Sequence, residues 1–547
     1  MIKDEIANLL KEAALEAQRR DLLPPVTVPD IVLERPQNPE HGDYAATLPL
    51  KLARAARMNP MTIAQNVVNL IQLPDEIESI SVAPPGFINF SLKSGWLTGQ
   101  VEGIISSGER YGDVDLGKGA KVQVEFVSVN PTGPLHVGHG RGAILGSTLA
   151  SVLASSGYDV VREYYINDAG GQMDAFYRSL YARYQQSLGI DAQMPSEGYF
   201  GDYMMDIARE IIADEGEKLS GKPAELGKIG VAKVMKTIKD DLEALGVSFD
   251  VWFSENSLFE QGQYDRVMAF LKERGYTSEK EGAIWFTSTV LGEDKDNVLV
   301  RSDGAPTYFA TDIAYHYNKF IERGFSRVIN IWGADHQGHV SRMKAVVGAL
   351  GIDPERLQII ISQMVTLKRG EVALRASKRT GELIILRELV EEVGPDVCRF
   401  FFLSHSADSQ MDFDLELAKR HSADNPVYYV QYGHARIASI LRLAQERGID
   451  YKEGNVSLLA VGPEITLIRK MLQLPEVLEL IASTLEPHHL PYYALDLATT
   501  FHNFYEKCRV ISSDEPLTLA RLKLVEAARI VLAKTLHLMG MTAPEKM

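Results

Sequence analysis

Apolar positions recur three and four residues apart at the start of the chain. Ile6, Leu9, Leu10, Ala13, Ala14 and Ala17 fall on one side of a helix. Helical spacing returns from Leu50 to Met58, and Asn59-Pro60 supplies the cap and first-turn proline of a further helix towards Leu70. Residues 80–92 read as two short strands about a Pro-Gly turn. Residues 1–112 are therefore expected to form an N-terminal α+β domain, closed by a Gly- and Asp-containing connector between Gly112 and Gly119.

From Ala120 the period changes. Lys121 to Val129 alternates as a strand, and Asn130-Pro-Thr-Gly-Pro134 stops it. Gly138 to Ser156 is a helix rich in small residues, and Asp159 to Ile166 is a second strand. This is a βαβ unit, the element of a parallel sheet. The alternation returns at Arg327 to Ile331, His339 to Leu350 and Gln358 to Ser362, with a mostly polar, helical insertion at about 182–289 between the halves. The expected fold of 113–420 is a doubly wound, Rossmann-like α/β domain. Beyond Asn425-Pro426 the pattern stays helical, broken at Gly448, Gly462-Pro463 and Glu486-Pro487, so 421–547 is expected to be an all-α bundle.

Composition narrows the class. With 45% apolar and 24% charged residues, the chain can bury large cores, which excludes a disordered or fibrous protein. Only Cys398 and Cys508 are present, which excludes a disulfide scaffold and a cysteine-built zinc site. No apolar run approaches the roughly 18 residues of a membrane helix, and the charged N-terminus lacks the apolar core of a secretion signal, so no membrane partner and a cytoplasmic location are expected. The net charge of −16 does not advertise a nucleic-acid binder. Nearly all of it lies before His421, however, and the helical segment after it is close to neutral and holds six of the 13 histidines.

The junction of the first strand with its helix carries the densest chemistry. A helix starting near Gly138 presents unpaired N–H groups and a partial positive charge, a ready phosphate site. His136 and His139 flank Gly138, so two imidazoles stand beside a backbone without a side chain. That suits ATP lying against the main chain, with the histidines stabilising charge as its α-phosphate is attacked. Paired histidines can also simply cap a helix; the strand–turn–helix setting favours the phosphate role.

His136-Val-Gly-His139 resembles the HIGH signature of class I aminoacyl-tRNA synthetases, and Asn130-Pro-Thr-Gly-Pro-Leu-His-Val-Gly-His-Gly-Arg141 resembles the arginyl-tRNA synthetases in particular. The likeness runs through residues 34–44, 164–171, 307–316, 332–339 and 425–436, essentially the whole chain. It implies an arginine-specific ligase forming a carbon–oxygen bond: L-arginine reacts with ATP, held with Mg2+, to give arginyl-adenylate and pyrophosphate, and the arginyl group passes to tRNA(Arg) with release of AMP. It also implies a monomer with no metal held by the protein itself. Arg375-Ala-Ser-Lys-Arg379 stands where the family has a KMSKS-like loop; Ser377 and Lys378 keep the pattern, whereas Arg375 and Ala376 depart from it. Lys378 would neutralise the departing pyrophosphate and join His136 and His139 as a catalytic residue, with Ser377 and Gly138 in the ATP site. By the same resemblance Gly333, Asp335, His336 and Gln337 approach ATP. Tyr308 and Asp312 face the guanidinium of arginine, four residues apart and so on one side of a helix. Glu125 and Asn130 complete the arginine pocket.

In the last segment Tyr428, Tyr429, Tyr432 and His434 stand among Arg436 and Arg442. Aromatic rings beside cations suit unstacked RNA bases and phosphates; the same residues also suit interhelical packing. The resemblance makes Tyr428, Tyr429, Tyr432 and Arg436 tRNA contacts of an anticodon-binding bundle, and assigns residues 1–112 to the tRNA elbow. Two rivals remain at this level: a small-molecule nucleotidyltransferase, which needs no helical C-terminal segment, and an RNA-binding paralogue that has lost its activity.

Overall fold

The computed structural model describes residues 1–36, 38–370, 372–374 and 384–547. They form two compact units. The first comprises Met1–Ser106, Ala444–Arg469 and Asn503–Ala527, and the second Ser107–Leu443, Lys470–His502 and Ala528–Met547.

In the first unit the opening helix, Ile2–Arg19, buries Ile6, Leu10, Ala13, Ala14 and Ala17, the stripe its spacing demands. Asn59 caps the helix Pro60–Val68 by accepting the Met61 N–H at 2.8 Å. Strands β1 (Leu33–Glu34), β2 (Tyr44–Ala46), β3 (Ile77–Ala83) and β4 (Phe87–Leu92) pair antiparallel in the order β1-β2-β4-β3. Asp43 is buried beside this sheet, where it accepts the Leu92 N–H at 2.8 Å and pairs with Arg469 at 2.6 Å.

The second unit is built on β5 (Lys121–Glu125), β6 (Asp159–Ile166) and β7 (Val251–Ser254). It continues through an antiparallel trio, β8 (Thr277–Lys280), β9 (Ala283–Phe286) and β10 (Asn297–Val300), to β11 (Arg327–Gly333) and β12 (Leu357–Ser362). The five long-range strands are parallel, in the order β12-β11-β5-β6-β7. The chain grows from β5 outward to β7 and then restarts on the other side of β5, so the switch point lies between β5 and β11. In such sheets the crevice beyond the carboxyl ends of the strands at that point receives ligands. A smaller sheet of β13 (Val365–Arg369), β14 (Val372–Ala373) and β15 (Met411–Asp414) follows.

The stretch read as helical insertion departs from that expectation. Helices Asp202–Glu215, Pro223–Ala244 and Gln263–Glu273 are there, but so are the sheet strand β7 and the β8–β9 hairpin. Four residues, Val-Trp-Phe-Ser, are too few to display a period, and what makes them a strand is their pairing with β6.

The helix Val137–Ser155 is buried on nearly every side, which accounts for its small residues. A Cβ on Gly146 would lie 2.2 Å from the Phe126 ring, and one on Gly140 would lie 2.5 Å from Leu386. Arg141, on the same helix, is buried and donates to the carbonyls of Gln363, Ser406 and Ser409 at 2.8–2.9 Å. Arg399 is likewise buried, donating to the carbonyls of Met539 and Leu245 and to Ser147 Oγ. The helices Pro426–Glu446, Leu474–Thr484, His489–Lys507 and Glu515–Leu538 make up most of the last 120 residues. Among the described residues no helix is long and apolar enough to cross a membrane.

Candidate active site

A cavity of about 1130 Å³ opens at the switch point, lined among others by Val127, His136, Gly138, His139, Gly333, Asp335, Gln363 and Met364. Its floor is the turn after β5. Val127 (φ 70°) and Ser128 (φ 43°) are both left-handed, a costly conformation for a β-branched valine that only a well-braced loop holds. The bracing comes from Ser128 Oγ, which accepts the Tyr165 N–H at 3.1 Å, and from the hydroxyls of Tyr164 and Tyr203, which donate to the carbonyls of Val129 and Thr132.

His136 is the cap of the helix Val137–Ser155. Its Nδ1 accepts the Gly138 N–H, and His139 Nδ1 accepts the His136 N–H, each at 3.2 Å. The two rings stack with centroids 3.4 Å apart. A neutral imidazole that accepts at Nδ1 carries its proton at Nε2. Burial, then the neighbouring His136, pushes His139 down to about 3; burial lowers His136 against the opposing pull of Asp335. Both rings are therefore neutral near pH 7, each with an Nε2–H donor left for a ligand. The helix-cap role, one of the two alternatives in the sequence, engages Nδ1 of each ring and leaves Nε2 to the other.

Gly333 and Asp335 stand opposite at the end of β11, and Asp335 is 3.5 Å from His336. His336 and Gln337 are exposed and do not line the cavity. Leu374 and Ile384 line it, and Ile384 accepts the Val137 N–H at 3.2 Å. Arg375, Ala376, Ser377 and Lys378 lie outside the described residues.

Of the four residues expected in the arginine pocket, two stand on one helix. Tyr308 and Asp312 share one side of the helix Tyr308–Tyr317, and Tyr308 is exposed rather than packed in the core. Asp312 is pushed up to about 7 by burial and by the charges of Glu255 and Glu125, against Lys319 and Arg342. Glu255, at the end of β7, is buried with Oε2 lacking a hydrogen-bond partner, and burial pushes it up to about 7 as well. Burial raises both carboxyls, with Glu255 and Glu125 adding repulsion at Asp312 and Asp168 adding it at Glu255. Glu125 is ion-paired with Lys319, which is wholly buried. Asn130 donates to Gln172 Oε1.

Glu255 and Lys319 escaped the sequence reading. Glu255 is the first residue after β7, so reading β7 as a sheet strand would have exposed it by the rule already applied to β5 and β11. Lys319 lies seven residues after Asp312, two helical turns on, a spacing that signals a shared face.

In the helix Pro426–Glu446, Tyr428 and Tyr432 stack at 6.0 Å, and Arg436 lies over Tyr432 at 4.7 Å while donating to its hydroxyl. Tyr429 packs on His502 at 4.8 Å. All four are half-buried, whereas His434 is buried, its Nδ1 2.9 Å from the Pro544 carbonyl.

Residues 100–398 match the family model described as tRNA synthetases class I (R), catalytic domain, so the sheet and its histidine-headed helix are those of a class I aminoacyl-tRNA synthetase. Residues 1–92 match the arginyl tRNA synthetase N terminal domain, and 430–547 match the DALR anticodon binding domain. The chain is 58% identical to the arginine–tRNA ligase of Dehalococcoides mccartyi over 100% of its own length and 99% of that protein's. It is 49% identical to the arginine–tRNA ligase of Carboxydothermus hydrogenoformans, again over 100% and 99%. The chain belongs to the arginyl-tRNA synthetase family. Its fold matches that of the Thermus thermophilus arginyl-tRNA synthetase with a TM-score of 0.77 over 100% of both chains, at 24% identity.

Proposed function

We propose that this chain joins L-arginine to tRNA(Arg) in two steps. Arginine attacks the α-phosphate of ATP, which enters as its magnesium complex, and the arginyl group then passes from the adenylate to the terminal ribose of the tRNA. The observation that carries this reading is the coexistence, at one end of one parallel sheet, of two imidazoles that accept at Nδ1 from the helix start and of the carboxyls of Asp312 and Glu255, with Glu255 Oε2 buried and without a hydrogen-bond partner. The first suits charge developing on a phosphate; the second suits a guanidinium, whose planar fork pairs with carboxylates.

In this reading Gly138, Gly333 and Asp335 border the nucleotide, and the Nε2–H groups of His136 and His139 stabilise the transition state. Asp312 and Glu255 take the guanidinium, with Tyr308 at its edge and Glu125 and Asn130 completing the pocket. Catalysis is positioning and charge stabilisation, without a covalent enzyme intermediate. Ser377 and Lys378 serve the departing pyrophosphate, and His336 and Gln337 the outer rim of the nucleotide site. Tyr428, Tyr429, Tyr432 and Arg436 read the tRNA within a C-terminal segment, 421–547, while 1–112 contacts the elbow and 113–420 does the chemistry. The enzyme works in the cytoplasm as a monomer. Neither the nucleotidyltransferase nor the inactive paralogue has an observation in its favour.

The test is arginylation of total tRNA with labelled arginine, with and without ATP, beside Lys378→Ala. ATP-dependent charging that collapses in the variant supports the reading. Intact RNA binding with no charging of any tRNA overturns it.

A further inference from the structure

Below the carboxyl cluster lies a polar chain whose hydrogen-bond directions are all determined. The helix Tyr308–Tyr317 passes into a π-helical turn, Asn318–Glu322, that buries Lys319. Turns of this kind are rare and concentrate at functional sites. Lys319 Nζ donates to Glu125 Oε2 at 2.5 Å and to Asn330 Oδ1 at 3.0 Å. Asn330 Nδ2 is 3.0 Å from His316 Nε2, and His316 Nδ1 is 2.8 Å from the Asp312 carbonyl. A carbonyl only accepts, so Nδ1 carries the His316 proton and Nε2 accepts from the Asn330 amide. That sets the amide with its oxygen towards Lys319. Glu125, Asn330, His316 and Lys319 are each at most 7% exposed. The chain therefore runs from the side chain of Glu125 to the backbone of Asp312, and Lys319 supplies its one positive charge.

We infer that Lys319 is a positioning residue and a determinant of charge selectivity in the arginine site: it neutralises Glu125 and ties that carboxylate to the backbone of Asp312. The inference rests on the functional reading above. Without Lys319, Glu125 would be an unpaired acid beside Asp312, and its repulsion would drive protons onto the groups that must receive the guanidinium. With it, the cluster offers two acids to one planar cation. Tyr315 holds Lys319 from the other side, its ring 4.1 Å from Nζ and its hydroxyl donating to Glu163, which Arg323 pairs in turn.

The experiment compares full-length wild type, Glu125→Gln, Lys319→Met and the double variant in tRNA arginylation, taking KM for arginine and for ATP at pH 6.5 and 8.5. Lys319→Met raises the arginine KM by about tenfold or more, most at the lower pH, and leaves the ATP KM within about twofold. The double variant, which keeps volume and strands no charge, matches Glu125→Gln alone within about threefold. Additive effects, or an ATP KM that rises alongside that of arginine, overturn the inference. If Lys319→Met fails to fold, the comparison of the double variant with Glu125→Gln decides: similar arginine KM values support the inference, and a gap of about tenfold overturns it. A wild type that does not charge tRNA with arginine defeats the functional reading on which this one stands; a charging wild type with additive variants defeats this inference alone.

Discussion

A histidine at a helix start offers two nitrogens, and in this chain Nδ1 is the one engaged in the cap. His136 Nδ1 caps the helix while Nε2–H stays available. Asparagine reproduces the acceptor at the Nδ1 position but has nothing at Nε2. His136→Asn is therefore expected to keep thermal stability within about 0.5 kcal/mol, since Asn caps as well as any residue. Its arginylation kcat is expected to fall by about 10²–10³, the usual loss of one donor to a developing oxyanion. Parallel melting and steady-state assays separate the two roles; a variant that melts early yet turns over normally would reverse the assignment.

The carboxyls of Asp312 and Glu255, each pushed up to about 7, give binding a pH signature. A guanidinium placed between them favours their ionised forms, so arginine binding near pH 7 is expected to release about one proton in total. Calorimetry in two buffers of different ionisation enthalpy reads this number, which should vanish by about pH 8.5. The stability sign follows from the direction of the shift. A carboxyl whose folded pKa exceeds its unfolded value is stabilised while protonated, and that contribution is lost as pH rises from about 4 towards 7. Arginine offsets this loss, so it should raise the melting temperature more at pH 8 than at pH 5.

At the scale of elements, the helix Val137–Ser155 sets where both histidines stand, and its glycines are not equivalent. Gly146→Ala forces its Cβ into the Phe126 ring and is expected to cost about 1–3 kcal/mol, as overpacking does. Gly142 meets nothing within 4 Å, and Gly142→Ala is expected to stabilise by about 0.5–1 kcal/mol through helix propensity alone. Denaturation of the pair checks both signs. The same element was legible in the sequence because small residues, flanking strands and a Pro-Gly entry all agreed. Strand β7 was not legible, since nothing in four residues distinguishes a strand from the end of a helix, and Glu255 was lost with it.

On the scale of the whole molecule, the last residues close the second unit. Thr542 accepts from the Gln431 amide and donates to the Asp396 carboxylate, the Pro544 carbonyl faces His434 and the Glu545 carbonyl accepts from Arg442, all but Asp396 on the helix that carries Tyr428, Tyr432 and Arg436. Deleting residues 542–547 strands the buried Gln431 and His434, at about 1–3 kcal/mol for each group. The melting temperature is expected to fall and the KM for tRNA to rise, while the KM values for arginine and ATP hold. An unchanged tRNA KM would remove that helix from the tRNA face.

Local patterning by itself determined the helices, the parallel αβ plan, the histidine-headed helix start and, through the resemblance its motifs carry, the family. These follow from period, turn chemistry and residue type, which operate over a few neighbouring positions. Tertiary structure alone decided the sheet order and hence the switch point. It also decided which nitrogens of His136 and His139 the helix start engages, and the pairing of Glu125 with Lys319 across 194 residues. A charge is raised or neutralised by whatever the fold sets beside it, and at that separation the spacing of the sequence says nothing about the neighbour.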